Sequence, residues 1–173
     1  MTVHQAQNGN NTPMKKTLPY LLVLLLLGFL FTLDWRDARR APPVIIPDDL
    51  SSVVITLERT PCFGTCPVYR VTVHGDGQVT YVGEMFVEVT GTETYQIPEA
   101  DVRELVSAFV SLNYFSLDDE YVSRATDLPS TTTSITIGGT TKTVFHYGDG
   151  PGNLIQLENR IDELAQTKDL IGP

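Results

Sequence analysis

The chain has 173 residues, with 21 acidic against 12 basic side chains, a formal net charge of −9 and 42% hydrophobic residues. That length holds one domain plus a short accessory segment, not several domains. The acidity opposes a phosphate backbone and so excludes nucleic acid as a partner, while basic proteins and divalent cations stay open.

The charge is unevenly spread: five basic and two acidic residues precede residue 41, and the remaining 19 acids face only 7 bases. Residues 1–16, with Asn8, Asn10, Asn11 and Pro13, read as a disordered cytoplasmic tail. Thr17–Leu33 is an uncharged, mostly apolar run flanked by Lys15 and Lys16 before it and by Trp35 after it. As a helix it would reach roughly 25 Å, near the lower limit for crossing a bilayer. It predicts a transmembrane signal anchor, with the N-terminus in the cytoplasm and the rest outside. A cleaved signal peptide is the rival reading, but the bulky, charged stretch Asp34–Arg40 offers no small-residue cleavage site. Residues 34–51 read as a charged, Pro-containing tether, and 52–168 as the folded domain.

Within that domain Val53, Ile55 and Leu57 alternate with polar neighbours, which predicts a strand. Tyr69, Val71 and Val73 form a second, and Gln78–Gly83 returns after the turn Gly75-Asp76-Gly77. Phe86–Thr90 and Thr92–Ile97 extend the strand pattern around Gly91. Pro98-Glu-Ala-Asp101 starts a helix whose stripe is Val102, Leu105, Val106, Phe109 and Leu112. Residues 118–129 read as loop. Thr133–Ile137 and Thr141–Tyr147 make a hairpin across Gly138-Gly139, and Leu154, Leu157, Ile161 and Leu164 mark a closing helix. The predicted fold is therefore α+β: an antiparallel sheet of about six strands with two amphipathic helices on one face, order β-β-β-β-α-β-β-α, plus the N-terminal transmembrane helix.

Leu57–Tyr69 carries the sequence Cys62-Phe63-Gly64-Thr65-Cys66-Pro67, and Thr126-Asp127-Leu128-Pro129 follows later. With Gly75-Asp76-Gly77, Phe115-Ser116-Leu117, Leu157-Glu158 and Ile161-Asp162, these stretches resemble a bacterial family catalogued as domain-of-unknown-function family 6438. The likeness runs from about Val53 to Asp162. It implies one compact α+β module and marks Phe63, Gly64, Pro67, Thr126, Asp127 and Pro129 as loop features of the family. It implies no activity and no cofactor.

The residues leave three kinds of chemistry to weigh. Cys62 and Cys66 can close a small loop, and in an oxidising compartment a disulfide is expected. Closing so few residues contributes about 2 kcal/mol, so the bond would organise the loop rather than the domain. A redox-active pair is the alternative, although three residues intervene and Pro67 leads into a strand instead of a helix. Zinc would need two more ligands, and His74 and His146 make no zinc pattern. Asp118, Asp119 and Glu120 offer oxygen ligands for a hard cation but lack the spacing of a calcium loop. Gly148–Gly152 lacks the Lys and Ser/Thr of a phosphate loop. The leading reading is thus a membrane-anchored extracytoplasmic domain, non-enzymatic, that binds an envelope protein or supports envelope structure. The alternatives are a thiol–disulfide oxidoreductase using Cys62 and Cys66, and an acidic metal-binding sensor.

Overall fold

The computed structural model describes residues 22–26 and 46–172. The chain divides into two units between Pro42 and Pro43, and the second is the domain considered below. Among the described residues no helix is long and apolar enough to cross a membrane. This corrects the expectation of a transmembrane anchor at Thr17–Leu33, and with it the membrane contact, the single-pass topology and the extracytoplasmic placement drawn from it. The remainder of that run, the tail 1–16 and residues 34–45 lie outside the described residues.

Seven strands form one sheet: β1 Val54–Arg59, β2 Val68–His74, β3 Gln78–Met85, β4 Gly91–Gln96, β5 Glu120–Val122, β6 Ser130–Ile137 and β7 Thr140–Tyr147. Their order across the sheet is β4-β3-β2-β1-β6-β7-β5. Six of them pair antiparallel, and β5 lies parallel to β7 at the edge. The sheet is therefore mixed, not the six-stranded antiparallel one expected. β5 falls inside the stretch that reads as loop, because three residues are too few to show a period of two. Its tie is made from outside: Phe145 N–H donates to Asp119 O at 2.9 Å and Ser123 N–H to Tyr147 O at 3.0 Å. Phe86, whose φ is 54°, ends β3 early, so 86–90 is a bend and not further strand.

Two long helices, α1 Glu99–Ser111 and α2 Gly152–Leu164, are joined by two shorter pieces, a 3-10 turn at Tyr114–Ser116 and α3 Lys168–Ile171. The first turn of α1 carries Glu99 and Asp101, which suit the positive end of its dipole. Its stripe Val102, Leu105, Val106 and Phe109 is fully buried. With Leu154, Leu157 and Ile161 of α2 it covers Ile55, Leu57, Val71, Val73, Val79, Ile135 and Val144 on one face of the sheet. Each such side chain contributes roughly 1.5–3 kcal/mol on burial. Tyr114 is also buried, edge-on to Phe109 at 4.7 Å, with its hydroxyl donating to Thr133 O at 2.5 Å. The opposite face carries many polar side chains, among them a hydroxyl pair between Thr56 and Ser134 at 2.5 Å and the exposed Arg70–Glu58 pair at 2.8 Å. One wet face is the usual state of such sheets.

The β6–β7 hairpin turns on Gly138 (φ 56°) and Gly139 (φ 76°), the two positive-φ residues that a twist-matched two-residue turn requires. At the other end of the chain α3 closes onto the β3–β4 connection. Glu88 N–H donates to Ile171 O at 3.2 Å and Val89 N–H to Leu170 O at 3.0 Å.

Candidate functional site

On β1 the inward-facing positions are Ile55, Leu57 and then Arg59. The change of chemistry at Arg59 is continued sideways by the strand register. Tyr69, Arg59, Thr131 and His146 are direct cross-strand neighbours on β2, β1, β6 and β7. They make one polar row at the end of the covered face. Above it α2 presents Glu158 and Asp162, one helical turn apart, and both are buried.

Asp162 gathers three side-chain donors. Arg59 Nη2 reaches Oδ2 at 2.9 Å, the Tyr69 hydroxyl reaches Oδ1 at 2.7 Å, and the Thr167 hydroxyl reaches Oδ1 at 2.9 Å. Arg59 Nε also donates to the Tyr69 oxygen at 2.9 Å. Burial, and then the Asp162 charge, hold the Tyr69 phenol far above its ordinary range, so it stays a neutral donor. The second group is built on Glu158, which is 1% exposed. The Thr133 hydroxyl donates to Oε1 at 3.2 Å, and His146 Nε2 lies 3.0 Å from Oε2. The other ring nitrogen, Nδ1, lies 2.9 Å from Gly148 O. The hydrogen bond to Glu158 raises the His146 imidazole above the usual histidine range, against the opposing effect of burial.

This row is not a hydrolytic triad. The Thr133 hydroxyl donates to the carboxylate, and the imidazole nitrogens meet Glu158 and Gly148 O, so the nucleophile–base contact of a triad is not made. Among the described residues no buried side-chain nitrogen or oxygen lacks a partner. Such satisfied networks make a region rigid and specific.

The loop between β1 and β2 rises from the same end of the sheet. Cys62 and Cys66 are joined by a disulfide, with their Cα atoms 5.7 Å apart. Both are half-buried, while Phe63 between them is 90% exposed. Pro67 is half-buried and leads straight into β2. The loop is fastened to the 126–130 segment. Phe63 N–H donates to Asp127 O at 3.1 Å, Thr60 N–H to Ser130 O at 3.0 Å, and the Thr60 and Ser130 hydroxyls meet at 2.7 Å. The structure thus brings Cys62, Phe63 and Gly64 beside Thr126, Asp127 and Pro129, two stretches about sixty residues apart in the sequence. Asp127 sits at φ 67° and accepts the Phe63 amide through its backbone carbonyl, while its carboxylate takes the Thr126 hydroxyl at 3.1 Å.

Asp118, Asp119 and Glu120 are exposed and lie elsewhere, at the start of β5. The Asp119 carboxylate is paired with Lys142, whose ammonium also donates to Leu117 O at 2.7 Å. Among the described residues no three His, Cys, Asp or Glu side chains stand together as a metal cluster, which removes the support for an acidic metal sensor. A surface hollow of about 550 Å³ runs along the outer side of α2, lined by Asn159, Arg160, Asp162, Glu163 and Lys168. Arg160 is engaged there by Glu104 and Glu163.

Arg59, His146, Glu158 and Asp162 escape a reading by residue type, because charged and polar side chains count as surface. The signal that finds them is phase. Arg59 continues Ile55 and Leu57, His146 continues Val144, and Glu158 and Asp162 fall in the stripe of Leu154, Leu157 and Ile161.

The family model for a domain of unknown function, DUF6438, matches residues 53–165. That stretch contains the whole polar row and the cysteine loop. A search among curated proteins gave no match.

Proposed function

Since the chain belongs to the DUF6438 family, whose description assigns no activity, we propose from the site itself that it is a thiol–disulfide exchange module working through Cys62 and Cys66. The observation that carries this reading is the position of the bridge. It closes a five-residue surface loop beside the exposed Phe63 and lies outside the apolar core. A bond that only reinforced the fold would add about 2 kcal/mol to a domain of a size that folds on its core.

The reaction is an exchange with a partner dithiol. One partner thiolate attacks Cys62 or Cys66, the bridge breaks, and the leaving sulfur takes a proton. The second partner thiol, as thiolate, then attacks the mixed disulfide. The partner ends oxidised to a disulfide, and the loop ends reduced by two electrons to two thiols. Pro67 leads into a strand, so no helix N-terminus assists thiolate formation, and exchange proceeds at the pace of an ordinary thiol.

The test is the equilibrium between bridge and thiols in dithiothreitol buffers of known ratio. A potential more oxidising than about −300 mV is expected for an exchanging pair. A value well below it marks an inert structural bond and overturns the reading.

A further inference from the structure

Both ring nitrogens of His146 face acceptors. Nε2 points at Glu158 Oε2 (3.0 Å) and Nδ1 at Gly148 O (2.9 Å). A carbonyl oxygen has no proton to give, so Nδ1 must carry one. A neutral ring would then set the Nε2 lone pair against the carboxylate in a dry site. A second proton between ring and carboxylate is needed, and the Thr133 hydroxyl donating to Oε1 favours leaving it on the ring. The geometry therefore describes a buried imidazolium held by two charge-assisted bonds.

What those bonds fasten is the floor of the cysteine loop. Gly148, at φ 72°, passes so close to Leu128 that a Cβ there would stand 2.4 Å from the leucine Cδ1. Its N–H donates to Pro129 O at 3.0 Å, and the Leu128 N–H donates to the Tyr147 hydroxyl at 3.2 Å. Immediately before Leu128, Asp127 O accepts the Phe63 amide. A continuous path of hydrogen bonds and backbone thus leads from Glu158, through His146 and Gly148, to Phe63 inside the cysteine loop. The charged group that touches the ring is Glu158 from α2. Arg59 from β1 opposes ring protonation from farther away and is itself tied to Asp162. Thr131 of β6 and the phenol-bearing Tyr121 of β5 stand beside His146 in register.

We propose that the His146–Glu158 pair is a proton-dependent latch on the Cys62–Cys66 loop, closed when His146 carries protons on both ring nitrogens and released when one is lost. As regulation of exchange it rests on the redox reading above; as a latch it does not. Closed, it holds the 126–130 segment beneath the bridge. Released, it leaves either Glu158 Oε2 or Gly148 O without its donor, and the segment loosens.

The experiment uses the whole protein and nuclear magnetic resonance. Ring ¹⁵N shifts of His146 should be those of a doubly protonated imidazole at neutral pH, and should convert above the ordinary histidine range. Across that conversion the protection of the Phe63 and Gly148 amides, corrected for intrinsic exchange, should fall by about tenfold or more, the scale of one charge-assisted bond. Amides of the β1–β2 ladder around Ile55 should not follow. Glu158→Gln should lower the pH of the conversion, and His146→Gln should abolish the step in protection. A single-proton ring at neutral pH, or protection that ignores the titration, overturns the latch. The bridge potential tests the redox reading separately, so either idea can fail alone.

Discussion

Ile55 and Arg59 point to the same side of one strand, four residues apart, and the two ends of the covered face they belong to are held by different forces. Across from Ile55 stand Val73 and Ile135, then Val79, under the stripe of α1 and α2. Across from Arg59 stand Tyr69, Thr131 and then His146, under Glu158 and Asp162. The apolar end tolerates exchange of similar shapes, because dispersion and burial are not directional. The polar end fixes distances and angles, because its hydrogen bonds are directional. The exposed disulfide loop rises from the polar end. A loop that must keep its place without being buried is better served by directional bonds than by packing.

The comparison can be broken hardest at Asp162. Replacing it with Ala leaves Arg59 without its carboxylate partner and Tyr69 without its acceptor, and leaves the Thr167 hydroxyl only the backbone carbonyl of residue 162. The expected cost in urea unfolding is about 3–5 kcal/mol, the range for breaking a buried ion pair on one side. Ile135→Ala, at the apolar end, should cost about 2–5 kcal/mol through a cavity. The two differ in kind: a compensating Arg59→Met beside Asp162→Leu should recover much of the first loss, while a cavity recovers only when refilled. A double variant as unstable as Asp162→Ala alone would show that shape, not charge, holds that end.

The smallest effect is expected from pH and sharpens the contrast. The folded-state affinity of His146 for its proton is raised, first by the bond to Glu158. Its stabilisation is therefore full below the ordinary histidine range and is lost as pH rises through the higher folded value. The unfolding midpoint should fall as pH rises from the ordinary histidine range, about pH 6.5, through the higher folded value. In His146→Gln that slope should flatten. A wild-type midpoint unchanged over the same interval would remove the ion pair from the stability of the domain.

Much of the sheet can be read from alternation and turns alone. Val53 to Leu57, Tyr69 to Val73 and the Gly138-Gly139 hairpin carry both the period and the residues that bend it. The stripe from Val102 to Phe109 is as plain. What alternation does not reveal is partner identity: β5 is three residues long and borrows its place from Phe145 and Tyr147, more than twenty positions away. The polar row is hidden for another reason. Arg59, His146, Glu158 and Asp162 obey the inward phase but violate the inward chemistry, and only their mutual pairing resolves that conflict. The nearness of the cysteine loop to Thr126–Pro129 likewise depends on β1 and β6 being neighbours. The apolar run at Thr17–Leu33 shows the reverse error, since hydrophobic composition near the minimum spanning length does not by itself establish a span.

The clasp made by α3 has a practical bearing on where the unit ends. The family-matched stretch stops at residue 165, yet the carbonyls of Leu170 and Ile171 serve the amides of Val89 and Glu88. A truncation at the matched boundary would strip those acceptors from the β3–β4 tip and remove the Thr167 hydroxyl from Asp162. At its C-terminal end the folded unit runs past its recognisable signature by one short helix, and a fusion tag is safer spaced beyond that helix than placed against it.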